Sequence, residues 1–171
     1  LVVPMVSSAA EAQRAVEAVR YPAPHRPGRR GMGAMLARSA RWGAVADYVE
    51  IADSTVSLTV QIETPQGVRN VEEIIATDGV DALFVGPADL AAQMGYPDNA
   101  SHAEVVAAVD HVVSVAVEAG IPVGVNAFSP DDADRVLDAG ANFVVTSADA
   151  LLIAHGAQEQ VARIRQRQPR S

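Results

Sequence analysis

Asp78-Gly79-Val80-Asp81-Ala82-Leu83-Phe84-Val85-Gly86-Pro87-Ala88-Asp89 is the stretch on which the fold turns. Asp-Gly bends the chain into Ala82 to Val85, a run without polar alternation, as expected of a parallel strand covered on both faces. Gly86-Pro87 then stops the strand and opens a short helix. Upstream, Val56 to Glu63 is rich in β-branched residues, and Thr64-Pro65 supplies an N-cap and a first-turn proline for a helix carrying Val68, Val71 and Ile75. Further back, Leu1 to Val6 predicts a buried strand. Ser8-Ala9-Ala10-Glu11 follows with capping-box spacing, and Ala12, Ala15, Val16 and Val19 recur at helical intervals until Tyr21-Pro22-Ala23-Pro24. Residues 22–55 form a long connection holding a helix around Trp42 to Ile51, and a connection of that length usually has a function.

Downstream the alternation continues. Ser101-His102-Ala103-Glu104 predicts a second capping box, opening a helix with Val105, Val109, Val112 and Ala116 on one face and Gly120 as its end. Ile121 to Val125 is the next strand. A helix then runs from Ser129-Pro130 to Gly140, followed by a strand from Asn142 to Thr146 and a last helix from Leu151 to Arg167. Five strand-helix units predict an α/β fold with a parallel sheet, either five-stranded and doubly wound or part of an eight-fold barrel. No strand is followed by Gly-x-Gly-x-x-Gly or a P-loop, which removes the usual nucleotide-binding form of the first. The opening strand has no preceding turn or cap. These features favour a (β/α)8 TIM barrel of which only the C-terminal five or so βα units are present, since a whole barrel takes about 250 residues. Residues 1–171 are then one domain.

The composition narrows the chemistry. Thirteen basic against twenty-one acidic residues give a net charge of −8, so no positive field attracts nucleic acid or an anionic membrane surface. All thirteen basic residues are arginine, so these 171 residues offer no lysine for a Schiff base. With no cysteine, thiolate nucleophiles, disulfides and cysteine metal sites are also missing from them. A cytoplasmic protein is expected.

Ligands of such parallel sheets sit at the C-terminal strand ends. The second strand ends Gln61-Ile62-Glu63, where alternation points Gln61 and Glu63 to one face. The third ends Gly86-Pro87-Ala88-Asp89. A carboxylate thus leaves each of two successive strands, a donor set suited to a hard divalent cation such as Mg²⁺ or Mn²⁺, with Glu63 and Asp89 as ligands. Pro87 in the first helical turn leaves the Ala88 and Asp89 N–H groups aimed at an anion, most naturally the carboxylate of a 2-oxo acid. Each feature also has a plainer use: Glu63 as a loop cap or ion-pair partner, Gly-Pro-Ala-Asp as an ordinary helix start, Gln61 as a partner for a buried backbone group. His25, His102, His111 and His155 are read as solvated or locally bonded.

Val60-Gln61-Ile62-Glu63-Thr64 and Asp81-Ala82-Leu83-Phe84-Val85-Gly86-Pro87-Ala88-Asp89-Leu90 together resemble the HpcH/HpaI family of metal-dependent pyruvate aldolases, on its 4-hydroxy-2-oxoheptanedioate aldolase side. The resemblance extends through Val3-Pro4-Met5-Val6, Arg20-Tyr21-Pro22, Arg30-Gly31-Met32-Gly33, Arg41-Trp42 and Met94-Gly95-Tyr96. It implies a barrel enzyme of class II. Such a lyase reversibly cleaves a 4-hydroxy-2-oxo acid to pyruvate, or a near relative, and an aldehyde. By resemblance Glu63 and Asp89 bind the divalent metal (Mg²⁺, Mn²⁺ or Co²⁺), Gln61 contacts the ligand on the metal, and the Ala88 amide binds the pyruvate carboxylate. The family's pyruvate-gripping arginine and its proton-transferring histidine–aspartate pair are expected upstream of Leu1, so these residues alone are expected to be inactive. A homo-oligomer is implied, with Leu151, Leu152 and Val161 of the last helix at a subunit contact or packed in the core. A citrate-lyase-like or malyl-CoA-type lyase, or an inactive interaction module, are the alternatives.

Overall fold

The structure is a computed structural model that describes residues 1–167. Five strands, β1 (Val2–Val3), β2 (Thr59–Ile62), β3 (Ala82–Val85), β4 (Val123–Asn126) and β5 (Phe143–Val145), form one sheet. They are all parallel and lie in the order β1-β2-β3-β4-β5. Sequential parallel strands joined by helices make the barrel arrangement, because a doubly wound sheet reverses its strand order. The chain holds five βα units of a (β/α)8 barrel. Its helices are α1 (Ala9–Val19), α2 (Tyr48–Ile51), α3 (Pro65–Arg69), α4 (Val71–Ile75), α5 (Pro87–Gln93), α6 (Ala103–Ala119), α7 (Pro130–Asp138) and α8 (Asp149–Arg165).

Strand alternation sorts the sheet into two faces. Val60, Ile62, Leu83, Val85, Val123 and Val125 are buried against Val16 of α1, Val71 and Ile74 of α4, Leu90 of α5, Val105, Val109 and Val112 of α6 and Val136 of α7. Each such side chain contributes about 1.5–3 kcal/mol by leaving water, so this layer holds the sheet together. The register aligns Gln61 with Phe84, Phe84 with Gly124, and Gly124 with Phe143 on the other face. There the Phe84 and Phe143 rings stack at 5.9 Å. Gly124 makes this possible, since a Cβ on it would run into the Phe143 ring.

Three caps form where the spacing puts them. Ser8 Oγ accepts from Glu11 N, Thr64 Oγ1 from Gly67 N at 2.9 Å, and Ser129 Oγ from Asp132 N at 3.1 Å. Elsewhere the structure differs from the sequence-based expectation. The helix after Thr64 is two short helices broken at Asn70, whose side chain donates to Ser7 O at 2.8 Å. The cap of α6 is His102 rather than Ser101: its Nδ1 accepts from Glu104 N at 3.3 Å while its ring stacks on Tyr96. No helix spans Trp42 to Ile51, because Arg41, Trp42, Gly43 and Asp47 all hold positive φ. Residues 34–55 instead contain 3₁₀ turns and α2, gathered on a small cluster of Tyr21, Ala40, Tyr48 and Ala52. The Arg30 guanidinium lies 4.4 Å from the Tyr21 ring centre and donates to the Tyr48 hydroxyl at 3.1 Å.

The opening segment is less buried than its composition suggests. β1 is two residues long and pairs only with β2, leaving Leu1 and Val2 exposed, while Val6 is buried. No described residue of α8 is buried, so Leu151, Leu152 and Val161 form no part of the core of the described residues. Among the described residues, no helix is long and apolar enough to cross a membrane.

Candidate metal centre at the strand ends

β2 and β3 run in register to Ile62 and Val85, so Glu63 leaves its strand level with Gly86. Glu63 is 2% exposed and is the one charged or polar residue in the buried class among the described residues. Its carboxylate is held at both oxygens: the Met5 backbone N–H donates to Oε1 at 2.8 Å and Gln61 Nε2 to Oε2 at 2.5 Å. Gln61 and Glu63 therefore share the face that alternation predicted.

The Met5 contact arises from an irregularity in β1. Val2 and Val3 pair with Thr59 and Val60, and an uninterrupted parallel ladder would next send the Met5 N–H to the Gln61 carbonyl. Instead Val6 N donates to Gln61 O at 3.2 Å, one residue late. Pro4-Met5 bulges out with Met5 at φ +59°, and its freed N–H meets Glu63. Gly86 bounds the other side. A Cβ built on it would sit 2.6 Å from Glu63 Oε2 and 2.7 Å from Gln61 Nε2.

Asp89 approaches from α5, at its third position, on the exposed rim. Burial raises the Glu63 pKa above its ordinary value; the Met5 N–H bond and the Gln61 bond oppose this, while the Asp89 charge and a hydrogen bond shared with Asp89 add to it. The two carboxyls are thus neighbours. Neither forms a salt bridge with a basic residue among the described ones. A buried acid beside a second acid, with no positive partner, fits a cation bound by oxygen ligands. No group of three or more histidine and acidic residues forms a larger centre among the described residues.

Ala88 sits in the first turn of α5, exposed, and no side chain caps that helix. The first helical bond runs from Leu90 N to Gly86 O at 3.1 Å, so the preceding amides lack helical partners. Asn126 ends β4 and lines a cavity of about 190 Å³ with Pro87, Ala88, Val109, Phe128 and Val136; Glu63 and Asp89 lie outside that lining. The cavity is beside the carboxylate pair, not at it. His25, His111 and His155 are exposed and His102 is occupied as a cap, so no histidine joins the pair. Sequence reasoning named Gln61, Glu63, Ala88 and Asp89 but missed Met5 and Gly86. A backbone donor on a bulge leaves no side-chain signature, although a glycine after a strand is a known sign of close approach.

The sequence profile of the HpcH/HpaI aldolase/citrate lyase family matches residues 1–156. The chain is 42% identical over 166 residues to hydroxypyruvate/pyruvate aldolase of Cupriavidus necator, covering 97% of this chain and 61% of that protein. It is 43% identical over 163 residues to 4-hydroxy-2-oxo-heptane-1,7-dioate aldolase of Klebsiella pneumoniae, covering 95% and 60%. Among solved structures, an HpcH/HpaI aldolase/citrate lyase family protein of Burkholderia cenocepacia superimposes with a TM-score of 0.89 at 36% identity, over 96% of this chain and 64% of that one. The chain thus spans about three fifths of the length of the curated relatives it matches. From its profile match, its sequential parallel strands and its similarity to these aldolases, this chain belongs to the HpcH/HpaI aldolase/citrate lyase family.

Proposed function

We propose that the protein is a class II pyruvate aldolase, a carbon–carbon lyase that reversibly cleaves a 4-hydroxy-2-oxo acid to pyruvate, or a near relative, and an aldehyde. The observation that carries this reading is the buried Glu63 carboxylate, fixed at both oxygens and set beside Asp89 without a basic partner. Glu63 and Asp89 are the residues that would hold one divalent cation, Mg²⁺, Mn²⁺ or Co²⁺. Such an ion supplies Lewis-acid stabilisation of the negative charge that grows on the 2-oxo oxygen as the bond breaks.

The chain's own groups do the rest of the positioning. The Ala88 N–H, in the uncapped first turn of α5, binds the substrate carboxylate, and the helix end favours that negative charge. Gln61, already directed at Glu63, contacts the bound ligand from the same face. In the cleavage direction the C4 hydroxyl loses its proton as the aldehyde forms, the C3–C4 bond breaks, and C3 takes up a proton. Residues 1–171 belong, on this reading, to one barrel domain of a homo-oligomer. The exposed Leu151, Leu152 and Val161 of α8 support a subunit contact there. The cytoplasm is the compartment this reading carries with it.

The test is metal-dependent cleavage of 4-hydroxy-2-oxo acids by a protein containing these residues, monitored as pyruvate release. Glu63→Ala and Asp89→Ala are expected to abolish turnover. Full metal-dependent activity in Glu63→Ala would overturn the proposal, and a requirement for an acyl-CoA substrate would replace the aldolase with a citrate-lyase-like or malyl-CoA-type lyase.

A further inference from the structure

We propose that Gly86 and the Met5 bulge are positioning elements that aim the Glu63 carboxylate, an inference that rests on the metal-binding reading of Glu63. Neither residue brings a functional side chain to the site; both act through the backbone. At Met5 the inserted residue takes an N–H out of the β1–β2 ladder and delivers it to Glu63 Oε1 at 2.8 Å. This requires positive φ at a non-glycine residue, a conformation held at some cost and found where surrounding structure enforces it. At Gly86 the missing Cβ leaves the space that Glu63 Oε2 and Gln61 Nε2 occupy where they meet, since that atom would stand 2.6 and 2.7 Å from them. The backbone of Gly86 is itself pinned, its N–H donating to Ile62 O at 3.2 Å, so it does not yield. The side-chain ends yield instead. A methyl group here therefore turns the carboxylate without breaking the strand pairing.

The distinguishing feature is a loss of aim without a loss of fold. In Gly86→Ala, Mn²⁺ affinity measured by calorimetry is expected to fall about tenfold or more, the scale seen when partners that orient a ligand are disturbed. Far-ultraviolet circular dichroism of the metal-free variant should match that of the unmutated chain, with the melting temperature lowered only by the lost Glu63 hydrogen bonds, and the Met5 amide should exchange with solvent faster because Glu63 no longer accepts from it. Binding of Mn²⁺ within about twofold of the unmutated chain, with Met5 still protected, would overturn the inference. If Gly86→Ala fails to fold, Met5 provides the second test. Met5→Gly keeps the N–H and admits positive φ, so it should retain Mn²⁺ affinity, whereas β-branched Met5→Val should weaken it. Equal affinity in both Met5 variants would also overturn the inference. Should the unmutated chain bind no Mn²⁺, the metal reading fails on its own, and Met5 amide exchange in metal-free Gly86→Ala still decides whether Gly86 controls the direction of Glu63.

Discussion

Replacing Glu63 with glutamine should change how stability depends on pH, with a sign that follows from the burial of the carboxylate. The folded pKa of Glu63 lies above its ordinary value of 4.5, because burial and the adjacent Asp89 disfavour its charged form. The folded state therefore holds this proton more tightly than the unfolded state. Its stabilising contribution is fully present below the unfolded pKa and is lost as pH rises through the folded one. Each unit by which the folded value exceeds the unfolded one is worth about 1.4 kcal/mol, or roughly 3–6 °C in melting temperature for a chain of this size. Glu63→Gln removes that dependence. It keeps an oxygen to accept from Met5, but presents an amide nitrogen to Gln61 Nε2 and so loses that hydrogen bond, worth about 0.5–1.5 kcal/mol to the neutral acid. In metal-free buffer the variant should be less stable than the unmutated chain below the ordinary glutamate range, and the gap should narrow as pH rises through the raised value of Glu63. Denaturant unfolding with a chelator across that range measures it. Parallel stability curves for the two proteins would refute the assignment of Glu63 as a buried acid with raised pKa.

Three further outcomes follow from the packing and the caps. Gly124→Ala places a methyl group against the Phe143 ring and should cost about 1–3 kcal/mol in denaturant unfolding; adding Phe143→Leu should recover much of it, and independent effects would argue against the contact. Thr64→Ala removes the cap of α3 and should cost about 1 kcal/mol, whereas Thr64→Ser should cost little, as judged by thermal melting. The Tyr48 phenol is held below its ordinary value of 10.0 by the Ser39 hydroxyl and then by Arg30, so Arg30→Ala should raise it while Ser39 keeps part of the shift. Alkaline titration by ultraviolet absorbance reads that change, and an unmoved Tyr48 would contradict the Arg30 contact.

What the sequence disclosed was chiefly local. Ser8, Thr64 and Ser129 could be identified as caps because capping is settled within a few residues, and Ala82 to Val85 as a buried strand because uninterrupted apolar character needs burial on both faces. That Gln61 and Glu63 share a face was legible because strand side chains alternate, and that Asp89 lies near Glu63 because neighbouring parallel strands end side by side. The misreadings depend on longer-range geometry. His102 displaces Ser101 as cap while stacking on Tyr96, and Asn70 interrupts a helix by reaching back to Ser7 across 63 positions. The left-handed residues from Arg41 to Asp47 carry no glycine signal beyond Gly43, so helical periodicity was overcalled there. Met5 is the most instructive omission. Its contribution is a backbone N–H, and only the register of β1 on β2 reveals that it is free to reach Glu63.

The central claim is that Glu63 and Asp89 together hold one divalent ion. Calorimetric titration of Mn²⁺ into the unmutated chain, Glu63→Gln and Asp89→Asn tests it most directly. The account predicts one site per chain that is lost or severely weakened in each variant. Binding that persists undiminished in both variants, or no binding in the unmutated chain, would contradict it.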